Sequence, residues 1–314
     1  MATASYRSRQ TAAQMKDEKK DGNEKENIWP SVLSEVQLKG TNKLSPNQQV
    51  VVIGDRESGK TTLVAKLQGN VAPKKGSGLE YAYIDVRDEY RDDHTHLAVW
   101  LLDGDANQAH LLRYALTEET YSSTLLMLTV SMTTPWAMLD LLDQLQEWTS
   151  LLQDHIDKLP FSAEAIREYQ HKYVRRWQEY VEPGDELETA QLRRTSRHVD
   201  GEEEGMDHLF PLPEGVLTRN LGLDIVVVVT KTDYMATLEK DLDYKEEHFD
   251  FIQQHLRKFC LQYGAALFYT SVKEDKNCDL LYKYLVHRIY GLVFPTPALV
   301  VEKDDVFIHS CWMR

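Results

Sequence analysis

Cysteine is scarce: of 314 residues only Cys260, Cys278 and Cys311 carry a thiol, and no two fall in a C-x-x-C spacing. That pattern speaks against a disulfide framework, a structural zinc site and secretion. Long apolar runs are missing too. The longest uninterrupted aliphatic stretch, Ile225 to Val229, is far short of the roughly 20 residues that span a bilayer, and the N-terminus lacks the apolar core of a signal peptide. A cytoplasmic protein is expected. Basic residues are outnumbered, 36 against 50 acidic, and the formal net charge of −14 disfavours a sequence-independent grip on nucleic acid or anionic lipid. With those classes set aside, 42% apolar and 27% charged residues suit a globular chain with a packed core.

Residues 1–26 are polar and without apolar periodicity, so they read as a disordered tail, followed by a flanking segment over 27–47. From there strands and helices alternate. Gln49 to Ile53, Glu80 to Val86, Leu97 to Leu102, Leu125 to Val130, Asp224 to Thr230 and Ala265 to Thr270 read as strands. Helices are expected from Gly59 to Gly69, Trp136 to Lys158, Ala163 to Val181, Tyr244 to Tyr263 with Gly264 as its cap, and Asp279 to Tyr290. The pattern predicts an α/β fold: a mostly parallel sheet covered by helices on both faces over 48–291, with a helical insertion at 136–181 and a mobile loop at 183–205. Residues 292–314 read as a C-terminal extension. The stripe Ile166, Tyr169, Tyr173, Trp177 and Tyr180 reads as core, with a partner-binding surface as the alternative.

Gly54-Asp55-Arg56-Glu57-Ser58-Gly59-Lys60-Thr61 fits G-x-x-x-x-G-K-[ST] between a strand and a helix. In such a loop backbone N–H groups wrap a phosphate, Lys60 reaches the β/γ oxygens, and Thr61, followed by Thr62, supplies a Mg²⁺ ligand. At the end of the fifth strand, Thr230-Lys231-Thr232-Asp233 offers a carboxylate that matches the paired donors of guanine, with the Lys231 stem along the ring. Ser271-Val272-Lys273 follows the sixth strand as a supporting loop. The three loops look like those of a P-loop, Ras-type G domain, so the expected cofactor is GDP or GTP with Mg²⁺, ATP being the alternative. The hydrolytic parts are poorer. Asp103-Gly104-Asp105 compresses the usual D-x-x-G spacing, no glutamine follows to orient water, and Thr95 is the candidate for closing over a γ-phosphate. Asp55 and Glu57 add carboxylates to a phosphate loop, and the Glu57 β-carbon strains its turn. Static binding is expected, with no catalytic residues; an active GTPase switch and an ATP-dependent enzyme are the rivals. His94 with His96, and His248 with His255, lack a third metal ligand. Arg193-Arg194-Thr195-Ser196 forms a basophilic phosphorylation motif centred on Ser196.

Several blocks resemble the light intermediate chains of cytoplasmic dynein: Leu33-Ser34-Glu35-Val36, Gly78-Leu79-Glu80-Tyr81, Val99-Trp100-Leu101-Leu102-Asp103-Gly104-Asp105, Glu179-Tyr180-Val181-Glu182-Pro183-Gly184 and His248-Phe249-Asp250-Phe251-Ile252. The likeness runs from about residue 28 to 308 and ends before His309. It implies a non-catalytic motor subunit in the cytoplasm, microtubule-associated through dynein, whose G-like domain docks on the heavy chain while a C-terminal tail meets cargo adaptors. That tail is expected to be absent from these 314 residues. Arg56 and Glu57 depart from the small residues usual in this loop. The helices over 136–181, with Ile28 to Leu38 and Ala298 to Ile308, are the expected docking surface.

Overall fold

β1 (Gln49–Ile53) carries four branched side chains in succession, and all five of its residues are buried, as a strand covered on both faces must be. In this computed structural model the described residues are 44–45, 47–69, 72–73, 76–88, 93–133, 138–183 and 212–312, the side chains of 138–140 excepted. Contacts divide the chain into Met1–Leu44 and Ser45–Arg314, and the elements below belong to the second unit. The expected tail, the segment Ile28 to Leu38, most of the 183–205 loop and Ser196 lie outside the described residues.

After β1 come α1 (Lys60–Leu67), β2 (Leu79–Asp88), β3 (Asp93–Leu102), a 3-10 turn, the short helices α2 (Leu112–Ala115) and α3 (Glu118–Tyr121), and β4 (Thr124–Ser131). The long helices α4 (Met138–Ile156) and α5 (Ala163–Glu179) precede β5 (Asp224–Thr230), which leads into α6 (Met235–Leu242), α7 (Glu246–Tyr263), β6 (Ala266–Tyr269), α8 (Cys278–Tyr290) and β7 (Phe307–Ile308). The sheet order is β2-β3-β1-β4-β5-β6-β7, antiparallel only at its two edge pairs. Period-two alternation assigns the faces. Val51, Ile53, Leu128, Val227, Leu267 and Tyr269 join a core with Leu145, Trp148 and Leu152 of α4 and Phe249, Ile252 and Leu256 of α7. Phe268 points the other way, its ring 5.1 Å from Tyr284 of α8, which lies beside α1. Two carbonyls of edge strand β2 are capped by side chains, Tyr83 O by Gln68 Nε2 (2.7 Å) and Asp85 O by the Tyr282 hydroxyl (3.1 Å), which blunts a free edge.

The aromatic stripe of α5 is core. Tyr173 and Trp177 are buried with Val216, Leu217 and Cys311, and the Tyr173 hydroxyl donates to Gly264 O at 2.6 Å. Gly264 caps α7 at φ +68°; a β-carbon there would come within 2.5 Å of Leu217 Cδ2. The apolar faces of α4 and α5 are consumed internally. Phe307 and Ile308 correct a second expectation. This segment is a seventh strand, paired Leu267↔Ile308 and Phe268↔Phe307, and the buried His309, Ser310 and Cys311 follow it into the core. Among the described residues no helix is long and apolar enough to cross a membrane.

Phe307→Ala tests the seventh strand. Its ring sits 4.6 Å from Phe268 and 5.4 Å from Tyr284, so truncation should cost about 3–5 kcal/mol in urea unfolding; a loss under about 1 kcal/mol would show that the strand does not seal the sheet.

Candidate nucleotide site

The glycine loop leaves β1 through a crowded turn. A β-carbon on Gly54 would lie 2.2 Å from Thr129 O, which excludes other residues there. Glu57 and Gly59 both adopt positive φ, +63° and +90°. Glycine does so freely; Glu57 bears the expected strain, of order 1–3 kcal/mol. Neighbouring elements hold this conformation. Ser58 Oγ meets Thr129 Oγ1 at 3.1 Å, Thr129 Oγ1 donates to Ile53 O at 3.0 Å, and Thr230 Oγ1 donates to Ser58 O. Lys231 Nζ donates to Glu57 O at 2.7 Å, and Trp148 Nε1 of α4 donates to Asp55 Oδ1 at 2.7 Å. The sequence reading missed Thr129 and Trp148. A hydroxyl inside the apolar run of β4 was the available signal, because a buried hydroxyl must find a partner.

Lys60 opens α1 and is buried, its Nζ donating to Gly54 O and Asp55 O at 2.7 Å each. An ammonium has three donors, so one N–H is left for an anion. Burial lowers its pKa to about 8, against the opposing pull of Asp103, Asp55 and Glu80. Lys60, Thr61 and Thr62 line a cleft of about 680 Å³ together with Arg56, Glu57, Gly59, Glu80, Asp103 and Lys231. Asp103 directly follows β3 at this cleft, and its Oδ1 accepts the Gly104 N–H at 2.8 Å. Thr95 is not there. It pairs with Val86 in the first part of β3, eight residues from Asp103, or roughly 26 Å along an extended strand. A residue fixed inside a strand ladder does not close over a phosphate.

On the base side, Lys231 adopts left-handed φ +57° before a single 3-10 turn carrying Asp233. Asp233 Oδ1 accepts from Ser271 Oγ at 2.8 Å, and the exposed Lys273 ammonium stands 3.6 Å from Oδ2. Ser271 is buried, Val272 half-buried and Lys273 exposed. Hydrogen bonds therefore join the three loops in series: Ser58 and Glu57 to Thr230 and Lys231, then Asp233 to Ser271. All three stand at the carboxyl ends of parallel strands, where open α/β sheets take ligands. The free ammonium donor and positive-φ backbone suit a phosphate. The histidine pairs stay apart from this site: His96 Nδ1 meets Asp85 Oδ1 at 2.7 Å, and no metal-holding cluster of His, Cys, Asp or Glu occurs among the described residues.

A lysine buried beneath a glycine-bounded loop, with two further loops tied to it across a mostly parallel sheet, defines a P-loop, Ras-like G-domain fold. The profile described as "Dynein light intermediate chain (DLIC)" matches residues 23–314, and the chain belongs to the dynein light intermediate chain family. The match passes through His309 to Arg314, where the sequence reading ended the likeness too early. The chain is 48% identical to mouse cytoplasmic dynein 1 light intermediate chain 1 over 292 residues, which are 93% of this chain and 55% of that protein. The protein of that name in Dictyostelium discoideum is 31% identical over 325 aligned positions, 92% of this chain and 63% of the other. The chain thus spans little more than half the length of the mammalian relatives it matches. Among solved structures, "Crystal Structure of the Dynein Light Intermediate Chain's Conserved Domain" superposes with a TM-score of 0.65 at 24% identity, covering 86% of this chain and 83% of that one.

Burial of Lys60 has a pH signature. Between pH 8 and 10.5 the unfolded chain keeps a proton on Lys60 that the folded chain gives up. The stability of the wild type should therefore rise with pH across that window relative to Lys60→Met. A difference between the two proteins that stays flat across the window in denaturant titrations would contradict the burial.

Proposed function

We propose that this chain is a non-catalytic accessory subunit of the cytoplasmic dynein complex. Its globular unit docks on the dynein heavy chain and helps link the motor to cargo for microtubule-based transport in the cytoplasm. The observation that carries this reading is the family match across residues 23–314. The exposed Val300 and Val301, in a segment assigned to docking on sequence grounds, are available for that contact.

The three-loop site, in the same reading, holds a guanine nucleotide as a fixed part of the subunit. Support comes from the bonds that join the loops to one another and from the compressed Asp103-Gly104-Asp105 turn. A β-carbon on Gly104 would lie 1.9 Å from Arg56 N, so this turn rests on the phosphate loop itself, where a switch needs room to move. Phosphates go to Lys60, Thr61 and the N–H groups of Gly59 and Lys60, the Ser58 N–H being spent on Asp55 O at 3.2 Å. Guanine goes to Asp233, whose carboxylate is oriented by Ser271, with Lys231 alongside. Adenine offers no matching donor pair, which makes ATP the poorer fit.

Two measurements check the proposal. Immobilised heavy-chain tail should retain the purified chain, and failure to do so would remove the subunit reading. In calorimetry, Asp233→Ala should weaken guanine-nucleotide binding by about 3 kcal/mol, the loss of two hydrogen bonds to a charged acceptor, and leave any adenine-nucleotide binding unchanged. Equal losses, or a wild-type preference for ATP, would contradict the base assignment.

A further inference from the structure

We infer that Arg56 takes the place of the magnesium ion, so that this chain binds guanine nucleotide without a divalent cation. The inference rests on the nucleotide reading above and adds what stands beside the phosphates. Mg²⁺ sits in a near-octahedral array of oxygens at about 2.0–2.1 Å, most of them waters and substrate phosphates, and asks the protein for one or two oxygens and an unpaired carboxylate nearby. Thr61 offers the hydroxyl, and the carboxylate is what this cleft does not leave unpaired. Asp103, the carboxylate that would hold a metal-bound water, has both oxygens engaged: Oδ1 with the Gly104 N–H at 2.8 Å, Oδ2 with the Arg56 guanidinium at 3.6 Å. The same Arg56 nitrogen reaches Asp105 Oδ2 at 3.1 Å, so one cation already bridges the two carboxylates that follow β3. Asp55 is turned away to Trp148. Thr95 lies in the first part of β3, far from the cleft.

The bridge is built into the backbone. Gly104 lies against the peptide of Arg56, with no room for a β-carbon, so the carboxylate loop and the arginine approach each other at a fixed separation. Arg56 also lines the cleft that holds Lys60. Its hydrogen bond to Asp105 and its ion pair with Asp103 use one nitrogen of a five-donor fork, and the rest suits phosphate oxygens, which guanidinium binds in bidentate fashion. The charges fit this division of labour. Arg56, Lys60 and Lys231 face Glu57, Glu80 and Asp103 around the cleft. Without a cation at Arg56, Asp103 would repel the phosphates it faces.

The test is binding of a fluorescent guanosine diphosphate to nucleotide-stripped protein, in magnesium buffer and in EDTA. The wild type should show the same dissociation constant in both within about twofold. Arg56→Ser, which removes a largely exposed side chain and so should leave the melting temperature unchanged, should bind at least about tenfold more weakly in EDTA and recover most of that loss with Mg²⁺. Arg56→Lys, keeping the charge, should fall between them. A wild-type affinity that collapses in EDTA, or an Arg56→Ser protein indistinguishable from wild type in both buffers, would overturn the inference and leave the nucleotide reading standing. No binding by the wild type in either buffer would overturn both.

Discussion

Lys60 carries its charge into the protein with two backbone carbonyls as its hydrogen-bond partners, and a charge so placed is tolerated only while those carbonyls stay where they are. The surrounding structure serves that constraint. Thr129 on β4 and Thr230 on β5 grip the loop from below, Lys231 holds Glu57 in its strained conformation, and Trp148 of α4 fixes Asp55. These residues come from β4, from the end of β5 and the turn after it, and from α4, so the loop is correct only when the sheet and the helix above it are assembled. A cradle fixed this way from several sides is preorganised, which is what the proposed static binding requires.

The opposite end of β5 solves a similar problem with paired charges. Asp224 accepts hydrogen bonds from Arg176 of α5 and Arg288 of α8, tying one helix from each part of the fold to the start of the strand. Burial opposes ionisation of Asp224, but the two guanidiniums outweigh it and hold the carboxyl below its usual range. Nearby, burial pushes His309 down to about 2, so it is a neutral ring, stacked 4.1 Å from Tyr180. Both ends of the sheet carry a cleft, about 790 Å³ beside Arg176, Arg288 and His309 and about 680 Å³ beside Lys60. At the first the guanidiniums are spent on Asp224, whereas at the second Lys60 keeps an ammonium donor in reserve.

Most of this was legible where local chemistry decides the outcome. The β-branched run of β1, the glycine-lysine spacing of its loop and the left-handed cap at Gly264 are short-range signals, and each element stands where those signals put it. Legibility failed where the determinant is distant or brief. Phe307 and Ile308 form a strand of two residues, too short to have a period, and only the partner β6 makes it one. Trp148 and Asp55 are 93 positions apart, so nothing local joins them. Residue type and a neighbouring acidic stretch point to Thr95; the β2–β3 hairpin instead carries it into the ladder. Arg56 is locally only a departure from the small residues of the loop; its partners Asp103 and Asp105 are brought to it by the fold.

On the function proposed above, a P-loop tied so firmly to its own scaffold should not turn nucleotide over. The direct measurement is phosphate release from GTP by the purified chain under multiple-turnover conditions, beside Lys60→Ala as the background. The account predicts that the two proteins release phosphate at the same negligible rate. Steady release by the wild type, abolished by Lys60→Ala, would contradict it and make the chain an active GTPase.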